Sequence, residues 1–504
     1  MIPLSKRLQD TIMGVSNLRL KFPGEPSLIF KDLSFTVLKG EKVLLLGPSG
    51  CGKSTLLQVL SRVVPNSIEV PLKYDSIQVP DSWGFVFQDP DTQFCMPYVD
   101  EELAFVLENL NIPREQMDEL IKDALVLVGL GSLDVHTLIQ DLSQGMKQRL
   151  ALASVLLLQP DVLFLDEPSA LLDPEGTMQI WDSVKVVAED KTVIIVEHKI
   201  DRIADWVDRV VLFNPEGKII ADGYPSTIFK KHHEELIQYG IWYPAVWQDY
   251  LDSRNFKRIE EFRLQETYGD TPIIKVQDFK GYRGKTEKLK IQEAGVSKGS
   301  WVAIIGENGA GKSTFLLSLM QLLRTSGVYE VNGKQIDVDK KKRTPPTELS
   351  LVFQNPELQF VTNSVFDEIA FSYATAGLPD FEIRTKVLDL LDMFQIHVNQ
   401  DRHPFQLSIG QKRRLSVATS FAQGADVLLL DEPTFGQDAR NTFIILEQLE
   451  ELRKNGTTVI MVTHDMMIAE HFATEVWSID KGKLIRIQEQ KRKENAYAGM
   501  VHSS

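Results

Sequence analysis

Two segments have residue types and spacing suited to gripping phosphate. They are Gly47-Pro48-Ser49-Gly50-Cys51-Gly52-Lys53-Ser54-Thr55 and Gly306-Glu307-Asn308-Gly309-Ala310-Gly311-Lys312-Ser313-Thr314. Both fit G-x-x-x-x-G-K-[ST]. Each follows a short apolar run (KVLLL, WVAII) and precedes an apolar stretch at helical spacing (STLLQVLSRVV, STFLLSLMQLL). The glycines let the backbone curl until successive N–H groups converge on an anion, and the helix N-terminus adds its positive dipole end. Lys53 and Lys312 would reach the β- and γ-phosphates of a nucleotide. Ser54 and Ser313 would ligate Mg²⁺. Two matches, each after an apolar strand, make coincidence a poor explanation.

Further groups suit hydrolysis. The runs VLFLDE and VLLLDE end in Asp166-Glu167 and Asp431-Glu432. The first carboxylate of each pair suits a Mg²⁺ shell, and the second can polarise an attacking water. His198 and His464 each close an apolar run (VIIVEH, VIMVTH). A lone histidine there is usually structural, but equivalent placement in both halves favours contact with a γ-phosphate. Phe22 and Tyr282 precede their phosphate loops by 25 and 24 residues. Each could stack on a base or serve as an ordinary core aromatic.

The elements that must position these groups occur twice. The phosphate loops, VFQDPDTQF and VFQNPELQF, LSQGM and LSIGQ, the DE pairs and the histidines recur in one order at offsets of 259 to 266. Two homologous halves are expected at 1–225 and 272–504, joined by a helical, aromatic connector at 226–271. That connector is too apolar for a floppy linker and should pack on one or both halves. Short buried runs of the parallel type alternate with helical patterns, so each half reads as α/β.

The chain has 504 residues, 43 % hydrophobic and 25 % charged, as in globular proteins. Its 70 acidic and 55 basic residues leave a net charge of −15, which argues against gripping nucleic acid. Two cysteines exclude a multi-disulfide framework and suit a reducing compartment. No signal-peptide pattern and no bilayer-spanning run is expected. Membrane work would require a partner.

Together, the phosphate loops, Gln88 and Gln354, the LS-x-G pentads, the DE pairs and the terminal histidines resemble the ABC-family ATPase domain. The resemblance covers both halves, and LS-x-G is its most specific feature. It implies two tandem P-loop NTPase domains. Each has a RecA-like core, a helical subdomain and an N-terminal antiparallel β subdomain. ATP and Mg²⁺ are the implied cofactors, with Gln88 and Gln354 joining the metal shell. It also implies head-to-tail pairing within the chain. Ser143 and Gly145 would then complete the Lys312 site, and Ser408 and Gly410 the Lys53 site. LSQGM departs further from the family's LSGGQ than LSIGQ does, so unequal sites are expected.

FQDPDTQF with EELAF, and FQNPELQF with DEIAF, resemble the ATPases of energy-coupling-factor importers for vitamins and cobalt or nickel. A single chain with two such domains resembles the fused type proposed for hydroxymethylpyrimidine/thiamine uptake. That resemblance implies an ATPase at the cytoplasmic face of the membrane. Its partners are a transmembrane coupling subunit and a substrate-binding membrane subunit, and nucleic acid is not one of them. Fused sugar-import ATPases, a ribosomal translation factor and a DNA-repair ATPase are the competing readings. The connector carries six Lys/Arg and eight Asp/Glu, against the basic linker of the translation type. The repair type needs zinc cysteines or a coiled coil between phosphate loop and signature, and the intervals here are only 95 and 101 residues.

Two local expectations follow. Cys51, at a helix N-terminus, should have a lowered thiol pKa. Asp89, Asp91, Glu101 and Glu102, with Glu357, Asp367 and Glu368, should form acidic docking surfaces for arginines of the membrane partner.

Overall fold

The computed structural model describes residues 10–23, 27–170, 172–264, 272–338 and 343–489. It divides the chain into two compact units. One spans residues up to 246 with Asp438–Arg440, and the other takes the remaining described residues. The connector is therefore divided near its middle rather than standing as a separate piece. Its helices Pro225–Lys231 and His233–Gln238 belong to the first unit. The helix Arg254–Leu264 belongs to the second. There Tyr250, Phe256 and Ile259 enter the core, and Tyr250 stacks on Phe443 with ring centroids 3.9 Å apart. Arg263 pairs with the buried Glu450 at 2.8 Å. Connector residues 265–271 lie outside the described residues, as do 1–9 and Leu171.

In the first unit a six-stranded sheet carries the phosphate loop. Lys42–Leu46 lies between Thr192–Val196 and Arg209–Phe213, parallel to both. Val162–Asp166 and Trp83–Val86 continue the parallel sheet outward. Both faces of the Val162–Asp166 and Thr192–Val196 strands are buried, which explains their unbroken apolar runs. Thr11–Leu20 and Phe30–Leu38 form an antiparallel pair. That pair shares a core cluster with the Lys53 helix and the parallel sheet. Val99–Asn109, Arg114–Leu127 and Gln144–Leu157 supply a helical subdomain.

The second unit repeats this plan. Trp301–Ile305 lies between the parallel strands Thr458–Val462 and Glu475–Asp480. Val427–Asp431 and Leu349–Val352 follow outward. The long antiparallel pair Pro272–Arg283 and Thr286–Ser297 joins the same sheet through a single parallel bridge at Lys290–Lys483. All functional strands therefore end at one edge in each unit, the usual position for an α/β ligand site.

Candidate functional site

In the first unit the helix Lys53–Leu60 begins after Gly52, whose φ is 103°. That angle is strained for any residue with a Cβ, and a Cβ here would also meet the Phe30 ring at 2.7 Å. Lys53 is buried and folds back, donating from Nζ to the Gly47 and Pro48 carbonyls at 2.8 and 3.0 Å. It is thus held over the loop where an anion would sit. Ser54 donates to Asp166 Oδ1 at 2.7 Å. His198 Nε2 lies 3.0 Å from Glu167 Oε1, and Gln88 donates to Glu167 Oε2 at 2.7 Å. The fold thus gathers Lys53, Ser54, Gln88, Asp166, Glu167 and His198 at one strand edge.

The second unit repeats the arrangement. Gly311 has φ 109°, and Lys312 donates to the Gly306 and Glu307 carbonyls at 2.7 and 2.9 Å. His464 Nε2 is 3.0 Å from Glu432 Oε1, and Gln354 donates to Glu432 Oε2 at 3.1 Å. Glu167 and Glu432 both adopt positive φ, 49° and 51°. Non-glycine residues rarely do so, and such strain clusters at functional sites.

The electrostatics suit a cation and a base. Burial pushes Asp166 up to about 6 despite its Ser54 hydrogen bond, and burial likewise raises Asp431. Asp431 Oδ1 is buried without a hydrogen-bond partner among the described residues. A desolvated carboxylate oxygen beside a serine hydroxyl fits a Mg²⁺ shell. Bound there, the ion would neutralise charge on the β- and γ-phosphates. Burial alone would raise Glu167, but the hydrogen bond and charge of His198, with Lys53, outweigh it and lower its pKa. Glu167 in turn raises His198 against the effect of burial. A carboxylate held below its usual range beside a histidine whose proton affinity it raises can accept a proton from water.

Against known proteins, the family profile described as "ABC transporter" matches residues 30–170 and 289–435. The chain is 36 % identical over 496 residues to the "Putative HMP/thiamine import ATP-binding protein YkoD" of Bacillus subtilis, spanning 93 % of this chain and 89 % of that protein. The chain belongs to the ABC transporter family. It is a tandem ABC ATPase, an ATP-hydrolysing subunit coupled to transport. It is 34 % identical to a "Putative ABC transporter ATP-binding protein" of Methanosarcina acetivorans, spanning 93 % of this chain and 84 % of that one. A solved structure titled "RNase-L Inhibitor" matches with a TM-score of 0.61 at 20 % identity, over 94 % of this chain and 90 % of its own. That likeness shows the shared fold. None of the described helices is long and apolar enough to cross a membrane.

Each ABC signature opens a 14-residue helix. Ser143 caps the first by accepting from Met146 N–H at 3.3 Å. Ser408 caps the second by accepting from Gln411 N–H at 3.3 Å, and Gln411 Oε1 accepts from Ser408 N–H at 3.0 Å. This reciprocal capping box needs an amide or carboxylate at the third helical position. Met146 provides neither, so the sequence divergence leaves the first cap single. The signature glycines differ too. A Cβ on Gly145 would meet nothing nearer than 3.8 Å, whereas one on Gly410 would strike Asn441 at 2.4 Å. Phe22 packs half-buried against the first core cluster. Tyr282 is also half-buried, with the Arg324 guanidinium 5.1 Å from its ring centre.

Two expectations are corrected. Cys51 is buried at 2 % exposure, and desolvation raises its thiol pKa although Lys53 Nζ is 3.8 Å away. Burial outweighs the Lys53 charge and the backbone N–H groups of Lys53 and Cys51, all of which act to lower the thiol pKa. Cys95, in contrast, is exposed. Brief iodoacetamide treatment should therefore label Cys95 at least about tenfold faster than Cys51. Peptide mapping checks this, and faster labelling of Cys51 would contradict it.

The expected acidic docking surfaces are not formed by Glu102 and Glu368. Glu102 and Glu368 are only 3 % and 4 % exposed. Glu102 Oε2 accepts from the N–H groups of Cys95 and Met96, both at 2.8 Å. Glu368 Oε2 accepts from Val361 and Thr362 N–H at 3.1 and 2.8 Å, and from Thr362 Oγ1 at 2.6 Å. Both carboxylates are buried against these loop amides rather than offered on the surface as docking groups. Asp91 and Glu357 pair with Lys147 and Lys412 of the signature helices, at 2.7 and 2.5 Å. Asp89 caps the turn at Asp91. Glu101 and Asp367 are exposed on their helices.

Proposed function

We propose that this ABC ATPase energises an energy-coupling-factor importer for hydroxymethylpyrimidine, thiamine or a related vitamin. It works from the cytoplasmic face of the membrane, bound to a transmembrane coupling subunit and a substrate-binding membrane subunit. ATP and Mg²⁺ draw the two units together head to tail. Ser143 and Gly145 then complete the Lys312 site, and Ser408 and Gly410 the Lys53 site. Glu167 and Glu432 position water, His198 and His464 contact the γ-phosphate, and Gln88 and Gln354 relay closure to the membrane partner. One observation carries the reading. Two sites, each with its lysine, serine, aspartate, glutamate, glutamine and histidine in place, lie in one chain that aligns over 93 % of its length with the import protein named above.

The test is coexpression with candidate membrane subunits, followed by purification and uptake of labelled thiamine into vesicles. Stoichiometric copurification with ATP-dependent uptake is expected. Cosedimentation with ribosomes, without membrane association, would overturn the proposal.

A further inference from the structure

The two sites differ at two buried positions that the roles above leave unused. Gln148 and Arg413 hold equivalent places on the signature helices. Gln148 Nε2 donates to the Phe87 carbonyl at 3.0 Å, and Arg413 Nη1 donates to the Phe353 carbonyl at 3.0 Å. Both brace the carbonyl just before the loop glutamine. Only Arg413 adds a guanidinium near Asp431 and Glu432, where burial lowers its pKa to about 10. The second pair precedes the histidines: Glu197 in the first unit, Thr463 in the second.

Glu197 is 3 % exposed, and both its oxygens are engaged. Ser169 Oγ donates to Oε2 at 2.6 Å, and His198 N–H donates to Oε1 at 2.8 Å. Ser169 lies two residues beyond Glu167, and His198 is the partner of Glu167. Glu197 thus ties together the two chain segments that carry the hydrolytic pair. Thr463 cannot do the same in the second unit, where its hydroxyl accepts from Asp465 N–H at 3.1 Å.

We propose that Glu197 is a positioning residue of the Lys53 site, holding His198 against Glu167 and making hydrolysis there respond to pH in a way the Lys312 site does not. The inference rests on reading Glu167 and His198 as the hydrolytic pair. The groups that set the charge of Glu197 are Ser169, Glu167 and His198, with Lys53 acting beyond them on Glu167 and His198. Burial outweighs the Ser169 and His198 hydrogen bonds and pushes Glu197 up to about 7. Below that pH the group is neutral. Above it, the anion raises the proton affinity of His198 and, through mutual repulsion, strengthens Glu167 as a base. Turnover at this site should therefore rise as Glu197 ionises.

The experiment compares ATPase rates of the full chain and its Glu197→Gln variant at saturating MgATP from pH 5.5 to 8.5. Gln keeps an accepting oxygen but fixes the neutral state. The parent-to-variant ratio should be near one at low pH and climb at least about threefold, with a midpoint near 7. A merely structural role predicts a ratio independent of pH, and that result overturns the inference. If Glu197→Gln fails to fold, Glu197→Thr serves instead, since it copies the second unit; its ratio must also vary with pH. A Glu167→Gln chain with wild-type turnover would sink the hydrolytic-pair reading itself. A flat ratio with Glu167→Gln impaired would sink only the role of Glu197.

Discussion

Replacing Glu167 and Glu432 together by glutamine is expected to cut steady-state ATP turnover by about 10²-fold or more, with ATP binding retained. The magnitude is that of a lost general base. Retained binding follows because Lys53, Ser54, Lys312 and Ser313 are untouched, and their loop contacts do not depend on either glutamate. Glutamine also keeps a side chain of similar volume at a strained φ that the strand edge already imposes. Of the two single variants, Glu167→Gln should lose more. Under the proposed pairing its site is completed by the Ser408 helix, the one with the full capping box. Phosphate release and nucleotide-binding titrations on matched samples check both points. Wild-type-like turnover in the double variant would remove these glutamates from the mechanism.

The parts legible in sequence were those dictated by local backbone chemistry. A phosphate loop needs glycines, a lysine and a serine in fixed order between strand and helix, so Lys53 and Lys312 could be placed at once. The duplication pairs His198 with His464 in the sequence itself. What escaped were side chains whose direction depends on tertiary packing. An acidic residue in the first turn of a helix reads as a favourable dipole partner facing solvent. Nothing local in EELAF or DEIAF reveals that Glu102 and Glu368 turn inward to a loop six or seven residues upstream. Cys51 follows the same rule: its place before a helix is set locally, whereas its burial, which raises the thiol pKa, is set by the core. Glu197 carries a signal in the sequence. VIIVEH and VIMVTH differ just where the halves otherwise agree, and a charged residue closing a buried strand requires a partner.

That inward turn of Glu102 and Glu368 leads to the second large effect. Each carboxylate satisfies two backbone N–H groups that follow the loop glutamine, and Glu368 also takes the Thr362 hydroxyl. Hydrogen bonds to a charged group contribute about 1.5–3 kcal/mol, and buried donors left alone add a desolvation cost. Glu102→Ala and Glu368→Ala should therefore each loosen their loops by about 2–3 kcal/mol. At about 1.4 kcal/mol per decade, that is roughly a 30- to 150-fold loss of amide protection. The loss should be concentrated at Cys95 and Met96 in one variant and at Val361 and Thr362 in the other. Sheet strands such as Val162–Asp166 and Val427–Asp431 should keep their protection, because their core contacts are separate. The loops also carry Gln88 and Gln354, so a loosened segment would no longer transmit displacement as a rigid piece. Under the proposed function, uptake by the assembled importer should then fall more than the ATPase rate of the isolated chain. Hydrogen exchange decides the structural part: unchanged protection at these four amides would mean that the carboxylates do not hold the loops.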